Sequence, residues 1–477
     1  MPRRSVRDRT LVPAEREFVR GIGKLDATML VVGSMIGSGI FIVSAESARA
    51  VGSAGWLLAA WAIAGALTLI ASLSCAELAA MLPKAGGQYV FFREAYGPLF
   101  GFLFGWTMIL VIQSGTIAAV AVAFAKFLGV ICPPISATRM LLAVGGFSVS
   151  TVQAVGLGVI ALLTASNATG LKTGTWTQNA FTLAKFAALL ALTTLGLALG
   201  GGPGSALHSP GFWASIAPSG EPRTGMAILA ALGTAMVGPL FSQSAWNNVT
   251  FAGEEVREPG KTLPAALLAG CLLVTVLYVA ANVSYANVLS LSQIQRAPED
   301  RVATAAATVL WGPGAAGVTA AAIMVSTFGC VNGLILSGAR VSFAMARDGL
   351  FFRSLARLNA AGVPQSALWL QAFWASVLVL SGSYSDLLKY VISADILFYV
   401  LLVLAVPVLR RKRPQWTRPF RAPGYPILSL AYGASGVVLV VLLLAGNPRT
   451  TWPGYVFVLT GVPIYFLWRG RSQRAGY

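Results

Sequence analysis

The feature that most constrains this chain is a succession of apolar runs, each long enough to cross a bilayer. A helical span needs about 20 predominantly apolar residues. Roughly twelve such runs follow one another near 26–50, 56–82, 99–128, 151–170, 178–200, 226–252, 263–289, 315–345, 364–381, 386–409, 425–446 and 453–468. With 56% hydrophobic and 10% charged residues, the 477-residue chain has more apolar side chain than a soluble core can bury. The runs are continuous rather than ten-residue alternations, so an all-α integral membrane protein is expected and a β-barrel is not. Residues 139–149, "RMLLAVGGFSV", fit an external loop, a re-entrant piece or an extension of the fourth span.

A net charge of +18 would suit a nucleic-acid partner if the basic residues clustered on one soluble face, but they follow alternate loops. Seven stand in the N-terminal arm (Arg3, Arg4, Arg7, Arg9, Arg16, Arg20, Lys24) and six in "RRKRPQWTRPFR". Together with the other even-numbered loops and the tail, one side carries 24 of the 34 and the opposite side eight; Lys185 and Arg340 fall within spans. That asymmetry predicts a multi-pass protein of the cell membrane with both termini cytoplasmic, and it assigns the basic arms to topology and then to anionic lipid, not to nucleic acid. The expected organisation is a basic arm at 1–24, one transmembrane domain at 25–469 and a short tail at 470–477. Neither paired carboxylates nor a nucleophile and base on facing spans argue for an enzyme. His208 is the single histidine and lies in an external loop, so no metal cluster is expected. No glycine loop followed by Lys-Ser/Thr offers direct ATP drive, and no cofactor is expected.

Two runs are interrupted. "VVGSMIGSGIF" (Val31–Phe41) places three glycines and two serines mid-span, and "GTAMVGPLFSQSAWNNVTF" places Gly238, Pro239 and a polar stretch in the sixth run. An intact helix consumes its own N–H and C=O groups, whereas an unwound stretch frees both kinds. Gly37 and Gly39 permit close backbone approach. The half-helix starting near Ser38 presents free N–H groups suited to a carboxylate. Carbonyls at Met35, Ile36, Phe241 and Ser244 suit an ammonium, so a zwitterion fits between them. The competing reading of the first break is close helix packing through small residues. Breaks at corresponding places in two halves point to a transporter site at the midplane.

At these residues the chain resembles the amino acid–polyamine–organocation superfamily, in its L-type amino acid transporter light-chain branch. The resemblance rests on "LDATMLVVGSMIGSGIF", "AELAAMLPKAGGQYVFFREAYG", "TQNAFTLAKFAALLALTTLG", "GEEVREPGKTLPAALL", "FGCVNGLILSGARVSFAMARDG" and "LRRKRPQWTRPFRAPGYPI", across residues 22 to 470. It implies a LeuT-type 5+5 inverted repeat with helices 1 and 6 broken and helices 11 and 12 outside it. It also implies an amino acid substrate, with carboxylate on Gly37, Ser38 and Gly39, amine on the carbonyls of Met35, Phe241 and Ser244, and Phe241 as an aromatic lid. Ser242, Gln243 and Asn247 complete the expected lining. Where the family usually has paired glycines before Trp-Asn, this chain reads "FSQSAWNN", with Gln243, Ser244 and Ala245. A smaller, more polar pocket follows, favouring small or polar neutral amino acids.

Charged residues inside spans need partners or water, Lys185, Asp395, Glu77 and Arg340 among them. In the resembled family a lysine at the place of Lys185 occupies the region where relatives hold Na⁺, which implies sodium-independent exchange or proton coupling; snorkelling to the interface is the bland alternative. Asp395 reads as a contact for a polar or cationic substrate, as a proton site, or as a residue at the external interface. Glu77 and Arg340 read as a paired inner gate or as a plain ion pair. Gln113 and Asn332 read as interhelical hydrogen bonds, and Glu254 and Glu255 as a solvated helix end. Cys75, Cys271 and Cys330 read as small apolar residues; Cys132, in "ICPP", occupies the loop where animal light chains carry a disulfide to a heavy chain, a covalent partner weighed against bacterial relatives that lack one. The alternatives to a neutral amino acid transporter are a cationic amino acid or polyamine carrier and a non-transporting amino acid sensor.

Overall fold

The computed structural model describes residues 20–144, 147–169, 174–217, 219–381, 384–446 and 448–474. The basic arm expected at 1–24 therefore lies largely outside the described residues, as do the last three residues of the tail. Helices dominate: α1 (Lys24–Met35), α2 (Gly39–Ile42), α3 (Ser44–Val51), α4 (Ala54–Met81), α5 (Gln88–Tyr96), α6 (Pro98–Ile131), α7 (Thr151–Thr169), α8 (Gly174–Leu199), α9 (Met226–Ala235), α10 (Val237–Ser242), α11 (Asn248–Phe251), α12 (Pro259–Val288), α13 (Leu291–Gln295), α14 (Val302–Trp311), α15 (Gly314–Arg347), α16 (Gln365–Ser381), α17 (Tyr384–Lys412), α18 (Ile427–Gly446) and α19 (Pro448–Arg474). Among the described residues, nine helical stretches are long and apolar enough to cross a membrane. The sixth run is split into α9, α10 and α11, and α16 has 17 residues.

The long helices are apolar around most of their circumference, so neighbours rather than one amphipathic face decide their packing. α4 lies along α12, α1 along α12 and α8, and α10 against α4 and α17. α6 packs on α7, α15 and α16, while α17 packs on α18, α4, α5 and α6. Within α6, a wide turn at Met108–Ile112 loosens the helical ladder, and the Ser114 hydroxyl donates to the Ile109 carbonyl at 2.6 Å.

Residues 140–144 and 147–150 do not extend the fourth span as a helix. They belong to a hairpin of β1 (Met140–Val144) and β2 (Phe147–Ser150), paired antiparallel and leading directly into α7. Leu141 is 62% exposed on the hairpin.

Candidate functional site

The first break is built by one tight turn. α1 ends at Met35, the Gly37 N–H donates back to the Met35 carbonyl at 2.8 Å, and a new helix starts at Gly39. α2 runs into α3 through Val43, whose dihedrals are helical, so the outer half-helix is effectively continuous from Gly39 to Val51. It starts without a side-chain cap, and the N–H groups of Gly39 and Ile40 donate no hydrogen bond among the described residues. These are two of the donors that every helix N-terminus leaves open.

The carbonyls freed before the break are mostly served by side chains. Buried Lys185, from α8, places its ammonium on the Gly33 carbonyl. Cys330 Sγ stands 3.6 Å from the Ser34 carbonyl, the Tyr278 hydroxyl donates to Met35 at 2.8 Å, and the Ser326 hydroxyl donates to Ile36 at 3.3 Å. The Met35 oxygen thus holds two donors, Gly37 and Tyr278, which fills both its lone pairs. In this conformation Met35 is an anchor for α12 and not an open ammonium acceptor, contrary to the sequence expectation. Lys185 is 1% exposed and turned onto the backbone, so it does not snorkel.

The second break spans Gln243–Asn247. The Phe241 carbonyl accepts from both the N–H and the hydroxyl of Ser244, at 3.1 and 2.7 Å, and is likewise filled. The Ser244 carbonyl accepts no hydrogen bond among the described residues and stays open. Ala245 takes a left-handed conformation, φ 65°, that a glycine would adopt without strain. Gln243, expected on the ligand, spans two helices instead: its amide donates to Trp61 of α4 at 3.2 Å and accepts from Thr275 of α12 at 3.0 Å. Asn247, also expected on the ligand, gives its amide to Gln88 of α5 at 2.7 Å. Ser242 donates to Gly238 at 2.9 Å, and Phe241 and Ser38 are buried.

The two breaks meet. A Cβ added to Gly39 would lie 2.1 Å from the Ser242 hydroxyl oxygen and one added to Gly37 3.1 Å from Cys330 Sγ. Open N–H groups at Gly39 and Ile40 therefore stand beside the segment whose open carbonyl is Ser244, an arrangement able to take an anion at one end and a cation at the other.

The expected Glu77–Arg340 gate is not formed. Glu77, on α4, accepts from Arg410 at 2.9 and 2.6 Å and from the Ala422 N–H at 2.7 Å, with Arg418 3.5 Å away. Arg340 forks onto Glu255 at 2.7 and 3.1 Å. The reason is packing: α15 presents Arg340 to the stretch that follows α11, while the end of α4 faces the basic loop after α17. Glu255, expected to be solvated, has a side chain only 13% exposed. Around this pair the same end of the bundle is tied by backbone: Gly21 and Ile22 donate to the Glu255 carbonyl, Arg257 donates to Ile22, and Gly86 donates to Phe251. Nearby, Tyr89 donates to Asp348 at 2.6 Å, with Arg93 on the same carboxylate. Burial and that carboxylate raise the Tyr89 phenol far above its ordinary range, so it remains the donor.

Gln113 donates to the Leu334 carbonyl at 2.7 Å and Asn332 accepts from Asn167 at 2.7 Å, both interhelical as expected. Asp395 is buried on α17 within hydrogen-bonding reach of Tyr399. Cys75, Cys271 and Cys330 are buried thiols; Cys132 is exposed and free. Sequence reasoning missed Tyr278, Ser326, Thr275 and Gln88, single polar residues in or near apolar runs whose role appears only when distant helices are placed together.

The amino acid permease family model matches residues 22–466. The chain is 31% identical to human large neutral amino acids transporter small subunit 2 over 463 residues, covering 94% of this chain and 80% of that protein. It is 30% identical to mouse Asc-type amino acid transporter 1, covering 95% and 82%. It is 29% identical to the serine/threonine exchanger SteT of Bacillus subtilis (strain 168), covering 93% and 96%. The match spans nearly the whole chain, both breaks included: this protein belongs to the amino acid permease family of the amino acid–polyamine–organocation superfamily.

Proposed function

We propose that the protein is a secondary transporter of small or polar neutral L-amino acids. The observation that carries this reading is the pairing of open groups in two adjoining breaks: Gly39 and Ile40 N–H for the carboxylate, the Ser244 carbonyl for the ammonium. Ser38 completes the anion side, and Phe241 is the residue placed to close over the substrate. Lys185 on the Gly33 carbonyl supplies a fixed cation bridging α8 and α1, which supports sodium-independent exchange or proton-coupled uptake.

The fold supports alternating access. The contacts are reciprocal under a 5+5 pairing of spans: α1 packs on α12 as α10 packs on α4, α8 on α1 as α17 on α10, and α6 on α7 as α15 on α16. That reciprocity favours a LeuT-type inverted repeat of ten spans followed by α18 and α19, twelve in all. The end bearing Arg340, Glu255 and the basic loops is assigned to the cytoplasm and the membrane to the cell envelope. The names of the relatives include both large neutral and serine/threonine substrates. Gln243 tied across the break and Ala245 in place of glycine favour the smaller class. No heavy-chain partner is proposed through Cys132.

Purified protein in liposomes preloaded with single amino acids tests this by counterflow. Labelled alanine, serine or threonine should exchange faster than leucine or tryptophan, with Na⁺ replaced by choline. Binding without counterflow would mark a sensor, and preference for lysine or a polyamine would mark a cationic carrier.

A further inference from the structure

A small cavity borders the sixth-segment break. It holds about 20 Å³ and is walled by α4, α10, the break itself, α17 and α18, with Thr68, Gln243, Trp246, Tyr399 and Tyr432 as its polar lining. That is room for one water molecule, which needs polar partners. Partners are present: the Thr68 hydroxyl and the Trp246 indole N–H make no hydrogen bond among the described residues, and Tyr399 and Tyr432 bring hydroxyls.

Asp395 does not line the cavity but stands one helical turn from Tyr399, which does. It is 4% exposed, lies within reach of the Tyr399 hydroxyl, and forms no ion pair among the described residues; Lys389, the nearest cation in sequence, is bound to Glu46 at 3.1 Å. A lone carboxylate in an apolar membrane interior is costly, and a carried proton removes that cost. Tyr399 also stacks on Trp246 at 5.3 Å and touches the Ala245 backbone, so the acid is linked mechanically to the substrate break.

The ionisable surroundings of Asp395 are sparse. Tyr399 on its own helix and Tyr432 from α18 act on it. Elsewhere, Glu77 of α4 is held by Arg410, Arg93 and Glu94 of α5 pair with Asp348 and each other, and Tyr96 of α5 donates to Leu401. Lys126 of α6 lies among Glu46, Glu299, Asp300 and Arg301, and Tyr455 and Tyr465 belong to α19. The sixth segment contributes only neutral groups to the cavity.

We propose that this cavity is a hydrated proton-loading site and that Asp395, reached through Tyr399, carries one proton with each amino acid. The inference rests on the transporter reading above. The step forms one O–H bond on the Asp395 carboxylate from hydronium, leaving water, and breaks it when the proton returns to water on the other side. No redox partner is involved.

The test uses purified full-length protein in sodium-free liposomes and a labelled mixture of the twenty protein amino acids. With empty vesicles and the exterior one pH unit more acidic, the wild type should accumulate label up to about tenfold and acidify a lumenal pH dye on amino acid addition. Relative to counterflow in the same preparation, gradient-driven accumulation should fall at least tenfold in Asp395→Asn, persist in Asp395→Glu and slow several-fold in Tyr399→Phe. Wild-type counterflow without gradient-driven accumulation or lumenal acidification would overturn the proton site and leave the exchanger reading standing. Gradient-driven accumulation intact in Asp395→Asn would also overturn it. Absence of counterflow in the wild type would overturn the transporter reading and this inference with it. Should Asp395→Asn not fold, the lumenal dye in wild type and Tyr399→Phe decides alone.

Discussion

Gly39 and Ser242 touch where the two broken segments cross, closely enough that a methyl on Gly39 would stand 2.1 Å from the Ser242 oxygen and 2.8 Å from its Cβ. Overfilling a packed contact costs about 1–3 kcal/mol in strain, and here the strain falls on the uncapped half-helix. Gly39→Ala should reduce amino acid uptake more than tenfold with the protein still extracted and monodisperse. Adding Ser242→Gly should restore part of the activity, and a double-mutant cycle of initial uptake rates measures the coupling.

Among the described residues Lys185 makes no ion pair with a carboxylate, and its ammonium rests on the Gly33 carbonyl. Removing the ammonium disconnects α8 from the first break. Lys185→Ala should lose at least tenfold in counterflow, while wild-type rates stay equal in sodium and choline buffers. Full transport by Lys185→Ala would remove the bridging role.

Arg340 and Glu255 form a forked pair with side chains 9% and 13% exposed. Breaking one partner of a buried pair costs about 3–5 kcal/mol, because the remaining charge is stranded. Glu255→Gln should lower the thermal midpoint in detergent by several degrees, and the larger loss should come from Arg340→Ala. Equal midpoints in all three proteins would contradict the pairing.

Glu77 ties the end of α17 to the loop that follows it through Arg410 on the helix and Arg418 and the Ala422 N–H in the loop. With Glu77→Gln the two guanidiniums lose their counter-charge. Trypsin should then cut between residues 410 and 421 several-fold faster, as followed by mass spectrometry of the fragments. An unchanged digestion rate would mean that the loop holds its place by other contacts.

Ala245 occupies a left-handed conformation that costs a non-glycine residue about 1–2 kcal/mol. Ala245→Gly should therefore raise the melting temperature. The pair Ser244→Gly, Ala245→Gly should shift competition against labelled serine towards leucine. An unchanged ranking would place substrate size selection elsewhere.

The two breaks were legible because glycine or proline together with clustered polar residues, at corresponding places in two apolar runs, is more than close helix packing alone requires. Lys185 stood out as a charge inside an apolar run, but its place on a first-span carbonyl followed only from the resemblance, with snorkelling left open. What the chain's order hides is which helix face meets which. Met35 and Phe241 looked like open carbonyls, yet Tyr278 and Ser244 fill them. Glu77 and Arg340 looked complementary, but their helices turn them to Arg410 and Glu255. Gln243 and Asn247 looked like ligand contacts because amides are versatile, and each is committed to a neighbouring element. The hairpin at 140–150 escaped because a short apolar run has no distinctive period.

The backbone ties at one end of the bundle also bear on motion. Ile22 stands two residues before α1, and Val256 follows α11 by five; the two are joined as a bridge, with Arg257 donating to Ile22 and Ile22 to Glu255. Both broken segments are thus clasped at their tips, one pulling on the other like two oars lashed at the handle. A displacement of either segment at this end must therefore break these backbone hydrogen bonds or carry the other segment with it.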